Sequence, residues 1–259
     1  MSRTAGGMLE INYLSLDRRR IFAARVAWAD GVITGVTELG PEDPSLGYLL
    51  PGFIDAHVHI ESAMLPPAEF GRQALCHGTL AVVADPHEIA NVLGLPGVLY
   101  MLEEARRTPF HAFFGAPSCV PATPFETAGG ALDCAGIERL LAEPEVCCLS
   151  EMMNWPGVLR RDPGVMEKIG LATRLGRPVD GHAPGLQGAE AAAYAGAGIS
   201  TDHECVSLAE ARDKIAAGMR VLIREGSAAR NFDTLHPLIA EAPDRVMFCS
   251  DDKHPDDLL

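Results

Sequence analysis

Pro51-Gly52-Phe53-Ile54-Asp55-Ala56-His57-Val58-His59-Ile60-Glu61 is an apolar run that ends in alternating histidines. The run reads as a buried strand, and side chains two apart on a strand point to the same side. His57 and His59 therefore present two imidazoles together at the strand's C-terminal end. Imidazole is a common ligand for divalent transition metals. Two polar residues leaving a strand look the same, so the weight falls on the strand ends further along the chain.

After Pro51 the chain repeats strand, loop, helix. Apolar segments at 80–84, 112–115, 146–150, 178–181, 199–202, 220–223 and 246–249 make eight strands with the first. Helical patterns separate them. Pro66-Pro67 opens one that runs to about Cys76, and Pro96 opens another with Val98, Leu99, Leu102 and Ala105 on one face. Others cover 137–142, 165–175, 189–195 and 233–242. Ser207-Leu-Ala-Glu210 is a capping box whose helix ends at Gly218. The segment 85–91 reads as a loop turned by Pro86. Strands alternating with helices imply parallel pairing, and eight such units imply a closed α/β architecture, a (β/α)8 TIM-like barrel. An open doubly wound sheet is the alternative. The barrel is preferred because metal-type ligands stand at the ends of strands one, four, five, six and eight, and only a barrel brings those ends round one centre.

Residues 1–50 differ. Leu9-Glu-Ile-Asn-Tyr-Leu-Ser-Leu16 alternates at period 2, and Val26-Ala-Trp28 and Val32-Ile-Thr-Gly-Val36 flank the turn Asp30-Gly31. Short antiparallel strands are expected, a small β appendage without chemistry of its own, with 40–45 as a linker to a barrel over 51–259.

Composition excludes several classes of partner. The net charge of −14 and the lack of any basic run argue against nucleic acid. Seven cysteines, an odd number with no C-x-x-C pair, fit a reducing compartment. No signal-peptide core or membrane-length apolar window is present, so a cytoplasmic protein without membrane association is expected.

The later strand ends supply the rest of the site. Strand four ends Leu149-Ser-Glu151-Met-Met-Asn154, and strand five ends Val179-Asp-Gly-His182-Ala-Pro-Gly185. Strand six ends Ser200-Thr-Asp-His203-Glu204, and strand eight ends Phe248-Cys-Ser-Asp251-Asp252. Four histidines, one Glu and one Asp are too many for one tetrahedral catalytic metal, which takes three protein ligands and keeps a position open. They suit two divalent metals bridged by Glu151 and a hydroxide. Nitrogen and oxygen ligands without thiolate fit Mn²⁺, Fe²⁺ or Zn²⁺.

The Pro-Gly-Phe-Ile-Asp-Ala-His-Val-His word, followed by Glu, His, His and Asp at successive strand ends, resembles the amidohydrolase superfamily. Within it, longer words resemble the adenine deaminases of bacterial purine salvage. They include His57-Val-His-Ile-Glu-Ser62, Asp85-Pro-His-Glu-Ile-Ala-Asn-Val92, Gly181-His-Ala-Pro-Gly-Leu186, Arg224-Glu-Gly-Ser-Ala-Ala229 and Cys249-Ser-Asp-Asp252. The resemblance runs from about residue 51 onward. It implies a metal-dependent hydrolase that converts adenine to hypoxanthine and ammonia at a two-metal centre, Mn²⁺ or Fe²⁺ before Zn²⁺. It further implies His57, His59 and Asp251 on one metal, His182 and His203 on the other, and Glu151 bridging. Asp251 is then expected to take the nucleophile's proton, with Glu151 as the alternative shuttle. Asp252 is expected to accept a hydrogen bond from the purine. His87 and Glu88, and Arg224 and Glu225, are expected either to touch the substrate or to be structural. His77, His111 and His236 read as structural, while the role of His254 stays open.

The chain departs from that family by ending at Leu259, where relatives continue through a last barrel helix, the rest of the β appendage and a C-terminal domain. A truncated chain is therefore expected, with the outer flank of strands one and eight uncovered, and with a homo-oligomer or complementing chain as its partner. Other readings are a different binuclear amidohydrolase acting on a cyclic amide or N-acetyl sugar, and a non-catalytic fragment that binds metal or a partner. A zinc cytidine-deaminase site is disfavoured because its Pro-Cys-x-x-Cys signature is absent.

Overall fold

The structure is a computed structural model and describes residues 6–123 and 125–258. Residues 1–5 and Leu259, at the outer ends of the two expected segments, lie outside the described residues. The chain divides into two compact units, Met1–Gly52 and Phe53–Leu259.

The first unit is one four-stranded sheet in the order β3-β2-β1-β4. β1 (Gly7–Ser15), β2 (Arg20–Ala29) and β3 (Val32–Gly40) form an antiparallel meander, and β4 (Tyr48–Leu49) adds to β1 in parallel. Asp30 (φ 51°) and Gly31 (φ 78°) both take left-handed backbone at the β2–β3 turn, the conformation that a tight two-residue hairpin requires. Residues 40–45 are more than a linker. Buried Asn12 donates from Nδ2 to the Asp43 carbonyl at 2.7 Å and accepts from the Asp43 amide at 2.9 Å, which fastens that loop to β1.

The second unit carries the eight expected strands. They are β5 (Phe53–His59), β6 (Thr79–Ala84), β7 (His111–Ala116), β8 (Val146–Met152), β9 (Val179–Gly181), β10 (Thr201–Asp202), β11 (Arg220–Arg224) and an eighth in two pieces, β12 (Val246–Cys249) and β13 (Asp251–Asp252). Every pairing among them is parallel. One ladder runs β13-β5-β6-β7-β8-β9 and the other β10-β11-β12, and a parallel bridge between Val179 and Ile199 joins the two. The eighth strand completes the ring by changing partner, from β11 through β12 to β5 through β13. Ser250 marks the change. Its amide donates to Asp55 Oδ1 at 3.0 Å and its hydroxyl to Asp55 Oδ2. Asp251 then has φ 56°, a left-handed conformation that Asp tolerates better than most residues.

Each crossover between consecutive strands is helical. Helix faces follow from spacing: in Leu95–Ala105 the residues Val98, Met101, Leu102 and Ala105 are buried against the sheet. Starts follow from caps. Asp133 and Asp162 accept amide hydrogen bonds at the heads of Cys134–Leu141 and Pro163–Arg174. Two sequence expectations are corrected. Residues 87–93 form the helix His87–Leu93, because Pro86 stands at the N-cap and costs the helix no donor. The expected helix over 233–242 is two, Phe232–Leu235 and Pro237–Glu241, divided where Pro237 has no amide to donate. On the outer flank of β5 and β12, Phe53 and Phe248 are 63% and 50% exposed.

At Gly181 the end of β9 comes close to the backbone of β10. A Cβ at Gly181 would stand 2.3 Å from the Thr201 carbonyl oxygen and 2.7 Å from Ile199 Cγ2. Gly181→Ala is therefore expected to lose about 1–3 kcal/mol of stability, as overpacked sites do. An unchanged midpoint in urea unfolding would contradict this close approach.

Candidate metal centre

Because all strands run the same way, their C-terminal ends gather at one pole, and the polar residues that follow the apolar runs meet there. His57 and His59 leave β5 as expected from a period of two, with Nε2 atoms 3.2 Å apart. Each ring is fixed from behind. His57 donates from Nδ1 to Asp180 Oδ2 at 2.8 Å, and His59 from Nδ1 to the Asp85 carbonyl at 3.1 Å. Both Nε2 atoms are thereby turned towards the centre, the orientation that outer hydrogen bonds impose on metal-binding histidines.

Glu151 ends β8 almost fully buried, with its two oxygens facing different histidines. Oε2 lies 2.7 Å from His182 Nδ1 and 3.4 Å from His203 Nε2, while Oε1 lies 3.4 Å from His59 Nε2. His203, after β10, stacks on His57 with ring centroids 4.0 Å apart. His182, after β9, is held by its amide, which donates to the Tyr194 hydroxyl at 3.1 Å, and that hydroxyl donates to the Met152 carbonyl at 2.8 Å. Asp251 Oδ1 sits 3.1 Å from His59 Nε2 and 3.6 Å from His57 Nε2.

These spacings fit cations. Ligand atoms about 2.1 Å from one ion stand about 3.0–3.4 Å from each other, for octahedral to tetrahedral angles. Potential ligand atoms lie within 4.8 Å of one another in the sets His57–His59–Asp251, His57–Glu151–His203 and His182–His203–Glu204. A fourth set, His59–Asp85–His87–Glu151, brings in Asp85 and His87, which the pattern of strand ends does not mark as ligands.

His87 and Glu88 start the helix His87–Leu93. His87 Nδ1 is 3.1 Å from Asp85 Oδ2 and 3.2 Å from Glu151 Oε1, and Glu88 Oε1 is 3.2 Å from His59 Nδ1. Arg224 is a buried ion-pair member. Its Nη1 donates to Asp251 Oδ2 at 2.8 Å, and both terminal nitrogens donate to Glu204. Glu225, the next residue, points the other way as strand alternation requires. It is exposed and accepts from the Phe232 amide at 2.8 Å, so it is not among the imidazoles. Asp252 accepts from the Ser62 hydroxyl and belongs to none of these ligand sets. Sequence reasoning missed Asp55, Asp85, Asp180 and Glu204. Asp180 and Glu204 had a signal, standing two before His182 and one after His203.

Electrostatics agree with a cage of strong ligands. Burial works against charge on His57, yet the Asp180 carboxylate raises its pKa to about 10. His87, also opposed by burial, is raised to about 11 by Asp85. Glu151 is held well below the usual carboxylate range despite burial, through His182 and His203. Cations compete with protons for these lone pairs, so metal uptake releases protons.

The sequence profile of the amidohydrolase family matches residues 48–253. The chain belongs to the amidohydrolase family. Among its relatives, this amidohydrolase is 59% identical to the adenine deaminase of Salinibacter ruber over 247 residues, which is 95% of this chain and 45% of that protein. It is 53% identical to the adenine deaminase of a Sulfurovum species over 250 residues, 96% of this chain and 46% of the other. The chain thus spans about half the length of the relatives it matches. Solved structures share the fold at low identity. The atrazine chlorohydrolase TrzN of Arthrobacter aurescens, complexed with zinc, superposes with a TM-score of 0.64 at 14% identity, covering 96% of this chain and 73% of that one. The N-isopropylammelide isopropylaminohydrolase of Burkholderia multivorans gives 0.60 at 18%, covering 96% and 75%. Among the described residues no helix is long and apolar enough to cross a membrane.

Among the described residues, Glu151 is the one carboxylate that faces His59 as well as His182 and His203. Glu151→Gln is expected to reduce the content of both ions from about two per chain to well below one, following the two-metal template. Elemental analysis after gel filtration checks this, and full occupancy in the variant would contradict it.

Proposed function

We propose that this chain builds the catalytic centre of an adenine deaminase and hydrolyses adenine to hypoxanthine and ammonia. The reading rests on one observation above all: four histidines, Glu151 and Asp251 gather at one pole, in a chain 59% identical to the Salinibacter ruber adenine deaminase. His57, His59 and Asp251 would hold one cation, His182 and His203 the other, and Glu151 both. Mn²⁺ or Fe²⁺ suits this mixed nitrogen and oxygen set best, with Zn²⁺ also accommodated. When bound, such a pair makes water acidic enough to act as a nucleophile near neutral pH.

The residues of the chain do the rest. Water adds at C6 of the purine, the exocyclic nitrogen leaves as ammonia, and the ring retains the oxygen as hypoxanthine. Asp251 Oδ1 accepts the proton from water and returns it to the leaving nitrogen. Arg224, donating to Oδ2, fixes that carboxylate's orientation. Of the two roles expected for Arg224, substrate contact or structural pair, this reading takes the second. Asp252, oriented by Ser62, accepts a hydrogen bond from a purine ring N–H, and His87 and Glu88 border the purine from the start of their helix. A cytoplasmic enzyme of purine salvage, working as an oligomer or with a complementing chain, fits this activity.

Asp252→Asn is expected to keep both ions and to lower adenine turnover about tenfold to a hundredfold, the effect of losing a charged hydrogen bond. Ammonia release and elemental analysis on the same sample separate the outcomes. Loss of metal would make Asp252 a ligand, and a metal-loaded wild-type chain inert towards adenine would count against the proposed activity.

A further inference from the structure

Beneath the loops that carry His182 and His203 lies a charged cluster that the proposed chemistry does not use. Lys214, on the helix Leu208–Ala216, is fully buried. Its ammonium donates to the Ala183 carbonyl at 2.7 Å, to Asp202 Oδ1 at 2.9 Å and to Glu210 Oε1 at 2.8 Å, so all three of its protons are used. Both carboxylates are buried too, and both reach the same two loops. Asp202 accepts from the Ala183 amide at 2.8 Å and from the Glu204 amide at 2.9 Å. Glu210 accepts from the Gly185 amide at 2.8 Å and from the Val206 amide at 3.2 Å.

The bonded residues flank the two ligands. His182 precedes Ala183, and His203 stands between Asp202 and Glu204. Strand pairing holds this part of the ring weakly, for β9 has three residues, β10 has two, and the single bridge Val179–Ile199 joins their ladders. We propose that Lys214 is a positioning residue, an ionic tie that sets the two loops so that His182 and His203 face one cation. This rests on the two-cation reading of the metal centre. A buried ammonium between two carboxylates is a poor device for stability alone, since apolar replacements of such groups are often as stable or more so. Its fixed donor geometry, however, sets the distance between two loops that share little backbone pairing.

The test uses the whole chain loaded with Mn²⁺. Lys214→Met leaves two buried carboxylates unpaired and is expected to fold poorly. The deciding variant is therefore the neutral triple Asp202→Asn, Glu210→Gln, Lys214→Met, which keeps the volume and removes every charge. Wild type is expected to bind two ions and to give the electron paramagnetic resonance spectrum of an exchange-coupled pair. The triple is expected to fold, to keep the ion at His57, His59 and Asp251, and to hold the second about tenfold to a hundredfold more weakly, as loss of outer support does elsewhere. Its spectrum should revert to the six lines of isolated Mn²⁺. A triple that melts lower but binds both ions with an unchanged coupled spectrum overturns the proposal and makes Lys214 structural only. A triple that cannot fold in saturating Mn²⁺ does the same. A wild-type chain that binds fewer than two ions sinks the metal-centre reading itself, and the proposal with it.

Discussion

Charge held away from water is the constraint on which the rest of this structure depends. His57, His59, Glu151, His203 and Asp251 are each less than one-tenth exposed, and an isolated ion in such a place costs several kcal/mol. Three of them are matched from behind, whereas Nδ1 of His203 is buried without a hydrogen-bond partner. Asp180 and the Asp85 carbonyl match the two β5 histidines, Arg224 matches Asp251, and Lys214 matches the carboxylates that brace His182 and His203. Partners of this kind do two things at once. They compensate charge, and they decide which atom of each ring is left to bind.

Parallel closure makes the arrangement possible. A strand buried on both faces has no use for polar residues until it ends, and in a ring of parallel strands all such ends share one pole. The apolar runs of β5, β8 and β11 thus deliver His57, His59, Glu151 and Arg224 to one small volume, although helices separate them in sequence.

This logic is why the fold and much of the site are legible in the sequence. Apolar segments followed by His, Glu or Asp reveal both the strands and the pole where they meet, and spacing places His57 and His59 side by side. Less visible are interactions that depend on which way a single side chain turns. Arg224 and Glu225 are adjacent and equally polar, yet alternation puts the first in an ion pair and the second in solvent. Pro86 looks like a loop signal but stands at a helix N-cap, so the segment carrying His87 and Glu88 is helical. Lys214 looks like an ordinary solvated lysine on an amphipathic helix. Its burial is decided by loops distant in sequence, which no local pattern reports.

The bond between Ser250 and Asp55 joins residues 195 apart in sequence, and Asp251 and Val58 pair beside it. Contacts of such separation are slow to form, because much of the chain must be ordered before they are rewarded. The cage of ligands cannot exist before that seam does, since one wall of it comes from each side. A cation held by that cage would favour only the closed ring. In proportion to the free ion concentration, it stabilises that form against any chain whose ends have not yet met.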